Sequence, residues 1–159
     1  PCPCGHYGSP HKACRCTPQQ IRQYQTKISG PLMDRIDIHI DVPAVRYRDL
    51  KGKYSGESSD VIKGRIEAAR FRQKSRFRDK KTICNARMSD RQIRQYCIID
   101  EDSQQLMEMA VDKLGMSARA YTRILKVART IADLEDHDSI GASHVAEAIQ
   151  YRNLDRRMI

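Results

Sequence analysis

"SARAYTRILKVARTIADL", residues 117–134, decides how the second half of this chain folds. Tyr121, Ile124, Leu125, Ala128, Ile131 and Ala132 recur at helical spacing, so one face of this stretch is apolar. Ser117 stands just ahead as an N-cap, where its hydroxyl can take a free backbone N–H of the first turn. A helix with one apolar face needs partners, and the flanking sequence supplies them. Ser89 and Gln92 form an S-x-x-Q capping box, with Met88 and Ile93 placed as a hydrophobic staple. Asp100 caps a further helix carrying Leu106, Met107, Ala110, Val111 and Leu114, and Gly115 stops it. "DHDSIGA" (136–142) reads as a loop, and Ser143 as the cap of a last helix holding Val145, Ile149 and Tyr151. The spacing predicts a compact helical bundle over 83–159, its Met and Ile stripes being core packing and not a cofactor box.

Toward the N-terminus the pattern changes. A basic helix is expected from about Ser59, with Ile62, Ile66, Ala69, Gln73 and Phe77 on one face and Lys or Arg at most other positions up to Lys81. "KTICNA" (81–86) breaks it, and 48–59 reads as a linker with turn chemistry, so 51–82 forms a basic linker helix. "IDIHIDV" (36–42) alternates apolar and polar residues as a half-buried strand does, and Pro43 closes it. A lone strand leaves its backbone groups unpaired, so its sheet must be completed from elsewhere. Before it, Thr17 and Gln20 form a T-x-x-Q capping box around Pro18. Ile21, Tyr24 and Ile28 share a face of that helix, and Gly30–Pro31 are expected to end it.

The 159 residues allow one ordinary domain or two small ones. The chain is 40% hydrophobic and 31% charged, with no Trp and two Phe, so its core is aliphatic and the expected class is mainly α. The net charge of +9 is uneven. Lys plus Arg minus Asp plus Glu gives +2 for 1–16, +1 for 17–50, +8 for 51–87 and −2 for 88–159. Contact with a polyanion is therefore expected at the basic helix, where Lys63, Arg70, Lys74 and Arg78 are the candidate nucleic-acid residues. A solvated helix face is the equal alternative. No apolar run reaches the roughly 20 residues a membrane span needs, and no signal-peptide pattern opens the chain, which sets a reducing cytoplasm as the expected compartment.

That compartment bears on "PCPCGHYGSPHKACRC" (1–16), which carries two C-x-C pairs. Cys2, Cys4, Cys14 and Cys16 can supply the four thiolates of a closed, tetrahedral structural zinc site, and His6 or His11 could replace one of them. Four free thiols and a disulfide pair are the other readings, the last disfavoured in a reducing compartment. Cys84 and Cys97 stand apart and read as ordinary buried cysteines. The sequence holds no P-loop, no paired acids after an apolar strand, and no H-E-x-x-H, G-x-S-x-G or G-x-G-x-x-G pattern. Taken alone, these residues do not make an enzyme.

Four stretches, in order, add a resemblance. "PCPCGHYG…CRC", "ISGPLMDRIDIHIDVPAV", "SARAYTRILKVARTIADL" and "HVAEAIQYR" together resemble bacterial Mg-chelatase-like AAA+ ATPases of the ComM/YifB type, over essentially the whole chain. The resemblance implies that 1–50 is the end of an α/β AAA+ core, made of the Cys-rich loop, a helix and one strand. It implies that 83–159 is the helical lid and that the Walker motifs lie upstream. In "PLMDRIDI", Arg35 matches the family's arginine finger, which reaches the nucleotide of a neighbouring subunit; pairing with Asp34 or Asp37 is its plainer reading. In "SARAYTRILK", Arg119 matches the sensor-2 arginine, and Arg123, one turn on, can share that task. Implied with these are ATP and magnesium, identical subunits in a hexameric ring, and DNA as the track.

Two functions from different classes follow. One is part of an AAA+ motor that remodels DNA by branch migration in recombination or transformation, with a metal-chelatase-type ATPase subunit as its variant. The other is a non-enzymatic zinc-and-helix module that binds nucleic acid. A third, plainer expectation is an interaction lid whose basic helix packs on a core and pairs its arginines with upstream acids.

Overall fold

The computed structural model describes residues 2–9, 11–40, 42, 45, 56–77 and 82–152. Seven α-helices lie within them: α1 (Pro18–Gln25), α2 (Gly30–Met33), α3 (Ser59–Arg76), α4 (Asp90–Tyr96), α5 (Glu101–Leu114), α6 (Ala118–Leu134) and α7 (Ala142–Gln150). A 3-10 turn, Asn85–Arg87, precedes α4. The mainly helical expectation holds. Arg78 and Lys81, and most of the expected linker, lie outside the described residues.

α6 is the centre of the bundle because its sequence allows close approach. Ala120, Ile124, Ala128 and Ala132 are at most 1% exposed, and Leu125 and Ile131 are buried beside them. Three alanines on one stripe let α3, α4 and α7 come near the α6 backbone, while the branched side chains fill the space between. Burying a Leu or Ile contributes about 1.5–3 kcal/mol each. Met88, Ile93, Met107, Ala110, Ile140, Val145 and Ala148 complete this core. Phe77, the residue that ends α3, packs edge-on to Tyr96 with ring centroids 5.6 Å apart.

The ends of the helices follow local chemistry. Ser89 and Thr17 both form their capping boxes, each accepting from the N–H three residues on while Gln92 and Gln20 reach back to the cap N–H. Asp100 accepts from the Ser103 N–H at 2.9 Å, and Ser117 from the Ala120 N–H at 3.2 Å. Gly115 takes the left-handed conformation, φ 59°, that closes α5. The last helix starts earlier than expected. Gly141, not Ser143, is its N-cap, and the Gly141 N–H donates to Nδ1 of His144 at 2.9 Å. A histidine three residues on thus does the reaching back that Glu or Gln does in a capping box.

Two expectations near the N-terminus change. Residues 36–40 and 42 carry no strand: Ile36, Ile38, Ile40 and Val42 are 40–79% exposed while His39 is buried, the reverse of a strand covered on its apolar face. The segment is held instead by the far end of the bundle. The His39 N–H donates to the Tyr151 carbonyl at 2.7 Å, and Arg152 donates to the Ile36 carbonyl at 2.7 Å. Gly30 and Pro31 do not end α1; that helix closes at Gln25, buries nothing, and Gly30–Pro31 begin α2, where proline suits a first turn. Along α3, the expected apolar face splits. Ala69, Gln73 and Phe77 are buried against the bundle, whereas Ile62 and Ile66 remain exposed, because the first half of the helix runs past α6.

Candidate functional site

Three groups of side chains carry chemistry. The first is the N-terminal loop, which brings together the four cysteines that sequence singled out. Cys2 and Cys4 lie 3.4 Å apart at sulfur, Cys4 and Cys14 3.6 Å, and Cys14 and Cys2 3.7 Å. All four sulfurs are within 4.8 Å of one another. Sulfurs at about 2.3 Å from a tetrahedral zinc would stand about 3.8 Å apart, so the donor set fits a metal of that size. A disulfide needs sulfurs at about 2.05 Å; all six cysteines are free. His6 and His11 are outside this group of four.

Backbone geometry makes the loop compact. Gly5 and Gly8 both adopt φ 76°, a conformation that side chains rarely take, and this turns the chain twice between Cys4 and Ser9. The Gly5 N–H donates to the Cys2 carbonyl at 3.1 Å, and the Tyr7 N–H to the Cys2 sulfur at 3.3 Å. The thiols titrate as a set. Backbone N–H groups of Arg15 and His6 pull the Cys4 thiol down to about 6. Cys14 is pushed up to about 12: although the Cys16 N–H lowers it, burial and the sulfurs of Cys4 and Cys2 outweigh that. Cys2 is lowered as well and Cys16 raised, so two thiols give up their protons readily and two resist, which is how like charges share a site.

The second group is arginines on the α1–α2 side and on α6. Arg35 is exposed, and its guanidinium donates to its own helix at the Pro31 carbonyl, 3.3 Å away. It pairs with neither neighbouring acid. Asp37 is taken by Arg123, and Asp34 faces Arg152 at 3.8 Å. Arg119 is exposed at the start of α6, and its carbonyl accepts from the Thr122 hydroxyl at 2.9 Å. Arg123 is half-buried in its contact with Asp37, so α6 and the segment after Arg35 meet there.

The third group lies on α3. Lys63, Arg70 and Lys74, seven and eleven residues apart from the first, share one exposed face. Lys63 approaches Glu67 at 3.9 Å, and Arg70 donates to Gln73 at 3.4 Å. Arg72 and Arg76 are used differently. Arg72 donates to Asp136 and Asp138 at 2.6 and 2.8 Å, clamping the loop before α7.

Arg76 enters a buried network that the sequence reading missed. It donates to Asn85 at 3.1 Å and forms a two-pronged pair with Asp133, one bond at 2.8 Å. Asn85 donates to Asp133 and to the Thr130 hydroxyl at 2.8 and 3.1 Å. Arg129 meets Asp133 at 3.1 Å and donates to the His137 and Asp138 carbonyls at 2.6 and 2.7 Å. Burial alone would raise the Asp133 carboxyl, but bonds from Arg76 and Asn85 hold it below the usual carboxylate range. The signal was present: Arg129 and Asp133 are four apart inside the apolar α6 stripe.

Glu135, His137 and His144 also converge, with His144 Nε2 at 3.0 Å from Glu135 and 3.1 Å from His137. His144 Nδ1 already accepts the Gly141 N–H. With Nδ1 taken by that bond, Nε2 faces Glu135 and His137, and the trio closes the start of α7.

A loop whose four thiols could hold a metal ion precedes a helical bundle that displays arginines at its edge. Comparison with known proteins gives the family. Residues 56–152 match the family described as magnesium chelatase, subunit ChlI C-terminal, and residues 1–50 match magnesium chelatase, subunit ChlI. The chain belongs to this magnesium-chelatase-like family, with YifB and ComM among its relatives. It is 42% identical over 160 residues to the uncharacterised protein YifB of Salmonella typhimurium, covering 100% of this chain and 30% of that protein. It is 38% identical over 157 residues to competence protein ComM of Haemophilus influenzae, covering 98% and 30%. An uncharacterised protein of Mycobacterium bovis is 31% identical over 160 residues, covering 99% and 31%. The chain thus spans about a third of the length of these relatives. Among the described residues no helix is long and apolar enough to cross a membrane.

Proposed function

We propose that this chain supplies two phosphate-sensing arginine sites to a ring-forming AAA+ ATPase that remodels DNA. The observation that carries the reading is the state of Arg35: exposed, with both nearby acids occupied by other arginines. An arginine kept clear of carboxylates is available for an anion presented by another molecule. In the parent, ATP with magnesium provides the transferred phosphoryl group. Arg35 donates its guanidinium N–H groups toward oxygens on which charge develops, and Arg119 binds phosphate from the lid side; Arg123 can assist only by exchanging Asp37 for phosphate. Cys2, Cys4, Cys14 and Cys16 hold a structural zinc, which closes the loop and leaves no open position for chemistry. The relative named as a competence protein favours DNA as the substrate, in recombination or the uptake of DNA.

The test is Arg35→Ala in the full-length parent. ATP turnover should fall by about 10³-fold or more while nucleotide affinity stays within a few fold. Undiminished turnover removes the assignment.

A second reading, a nucleic-acid-binding module without catalysis, has its own support in the exposed row of Lys63, Arg70 and Lys74. A motor must also grip its track, so the two are compatible.

A further inference from the structure

A groove of ≈ 520 Å³ opens on the bundle between the α4–α5 turn, one face of α5 and the start of α6. Its walls include Ile98, Met107, Val111 and Tyr121, and its acidic members are Glu108 and Asp112. Ile98 is 72% exposed, unusual for an isoleucine that serves only the core. Glu108 and Asp112 sit one turn apart on α5, and neither has an ion-pair partner among the described residues. Like charges at that spacing disfavour the helix slightly unless a cation lies between them. The nucleotide-sensing arginines and the thiol loop do not line this groove.

This chain also carries a matching surface. The stripe Ile62–Ile66–Ala69–Gln73 on α3 is buried only in its second half. Ile62 and Ile66 continue it, exposed, one helical turn apart, with Lys63 flanking on one side and Arg65 on the other. Apolar residues four apart, edged by cations, are the pattern by which a helix enters an apolar groove. An acidic rim selects such a helix and repels a phosphate backbone.

We propose that the groove of one subunit receives the Ile62–Ile66 turn of α3 from a second copy of this chain. Lys63 and Arg65, which within one chain lie against Glu67 and Glu57, then exchange these for Glu108 and Asp112. The two surfaces are different parts of the same chain, so the contact runs head to tail, as closing a ring requires. It rests on the reading that copies of this chain assemble. One helical turn seated in a groove covers only a fraction of the roughly 1,200–2,000 Å² of a stable interface, so alone it gives a weak contact that gains strength in a closed assembly.

Sedimentation velocity of this chain over a concentration series at low salt tests it. Glu108→Lys with Asp112→Lys should weaken self-association about tenfold or more, and Lys63→Glu with Arg65→Glu should do the same. All four changes together should restore it. Circular dichroism checks that each variant keeps its helices. Ile98→Asp, at an exposed position, is the second probe and should weaken association as the charge reversals do. Association that ignores both reversals overturns the groove contact and leaves assembly intact. Weakening without restoration also overturns it, because the two surfaces then do not face each other. A chain that stays monomeric throughout overturns this contact and removes self-assembly of this region with it.

Discussion

Arg123 of α6 and Asp37, 86 residues earlier, form an ion pair that ties the segment after Arg35 to the central helix of the bundle. Beside it, Arg152 donates to the Ile36 carbonyl, and Tyr151 accepts from the His39 N–H at 2.7 Å. The segment that follows Arg35 is therefore anchored to the bundle, at the helix that carries Arg119 and Arg123.

That coupling has a measurable size. Asp37 is 46% and Arg123 29% exposed at the side chain, so the pair is partly screened. A double-mutant cycle of Asp37→Asn and Arg123→Gln should give an interaction of about 0.5–1 kcal/mol in thermal or urea unfolding. The value should shrink markedly between low and 0.5 M salt. A cycle that closes to zero at low salt would mean that the contact does not tie the segments in solution.

Asp133 should matter far more. Its side chain is fully buried between Arg76 and Arg129, with Asn85 as a third donor. Asp133→Asn leaves two buried guanidinium groups short of their counter-charge and should cost about 3–5 kcal/mol, read as a large fall in urea midpoint. The pH dependence has a definite sign. The carboxyl is held below its ordinary value, so the folded state binds fewer protons than the unfolded state. Its contribution is complete above the ordinary Asp range and is lost as pH falls through the lowered folded value. Wild type should therefore lose stability on acidification more steeply than Asp133→Asn; equal slopes would remove Asp133 from the acid transition.

The bundle was legible because each helix announces itself locally. The caps at Ser89, Asp100 and Ser117 and the α6 stripe need no information from distant chain. The four thiols were legible because their chemistry admits few uses. The roles of Arg72 and Arg76 were not, since a run of cations looks the same whether it faces solvent or Asp133, Asp136 and Asp138. Those acids lie downstream, on the bundle itself. "IDIHIDV" is a related case. Alternation specifies which residues share a face, whereas a strand also needs a ladder partner, and none lies among the described residues.

Metal should be released without unfolding the bundle. Native mass spectrometry of this chain, purified with zinc present, should give a mass gain of one zinc, lost with Cys14→Ser and Cys16→Ser. After chelation, amide NMR signals of Gly5, Tyr7 and Arg15 should shift, while those of the buried α6 residues Ile124 and Ala128 should stay in place. The affinity should drop as pH falls, because every ligand must lose its proton to bind. A zinc content of zero at neutral pH, with the four loop thiols reactive, would leave the loop as a thiol cluster held by its own backbone bonds.

The salt dependence of DNA binding can separate solvated cations from structural ones. Each phosphate neutralised adds about 0.9 to the slope of log affinity against log salt on duplex DNA. Lys63, Arg70 and Lys74 stand on one exposed face of α3, so replacing all three by Gln should lower that slope by about 2–3 and weaken binding at low salt. The triple change should barely alter the melting temperature, since none of the three is buried. Arg76→Gln should do the opposite. Its guanidinium is committed to Asp133 and Asn85, so the change should lower the melting temperature and leave the slope of the remaining folded protein unchanged. If the triple variant binds with wild-type slope, the row on α3 is a solvated face, and whatever grips DNA lies elsewhere in the parent. If Arg76→Gln alone removes the slope, the charge that matters is at the α3–α6 junction, and the division between gripping and structural cations fails.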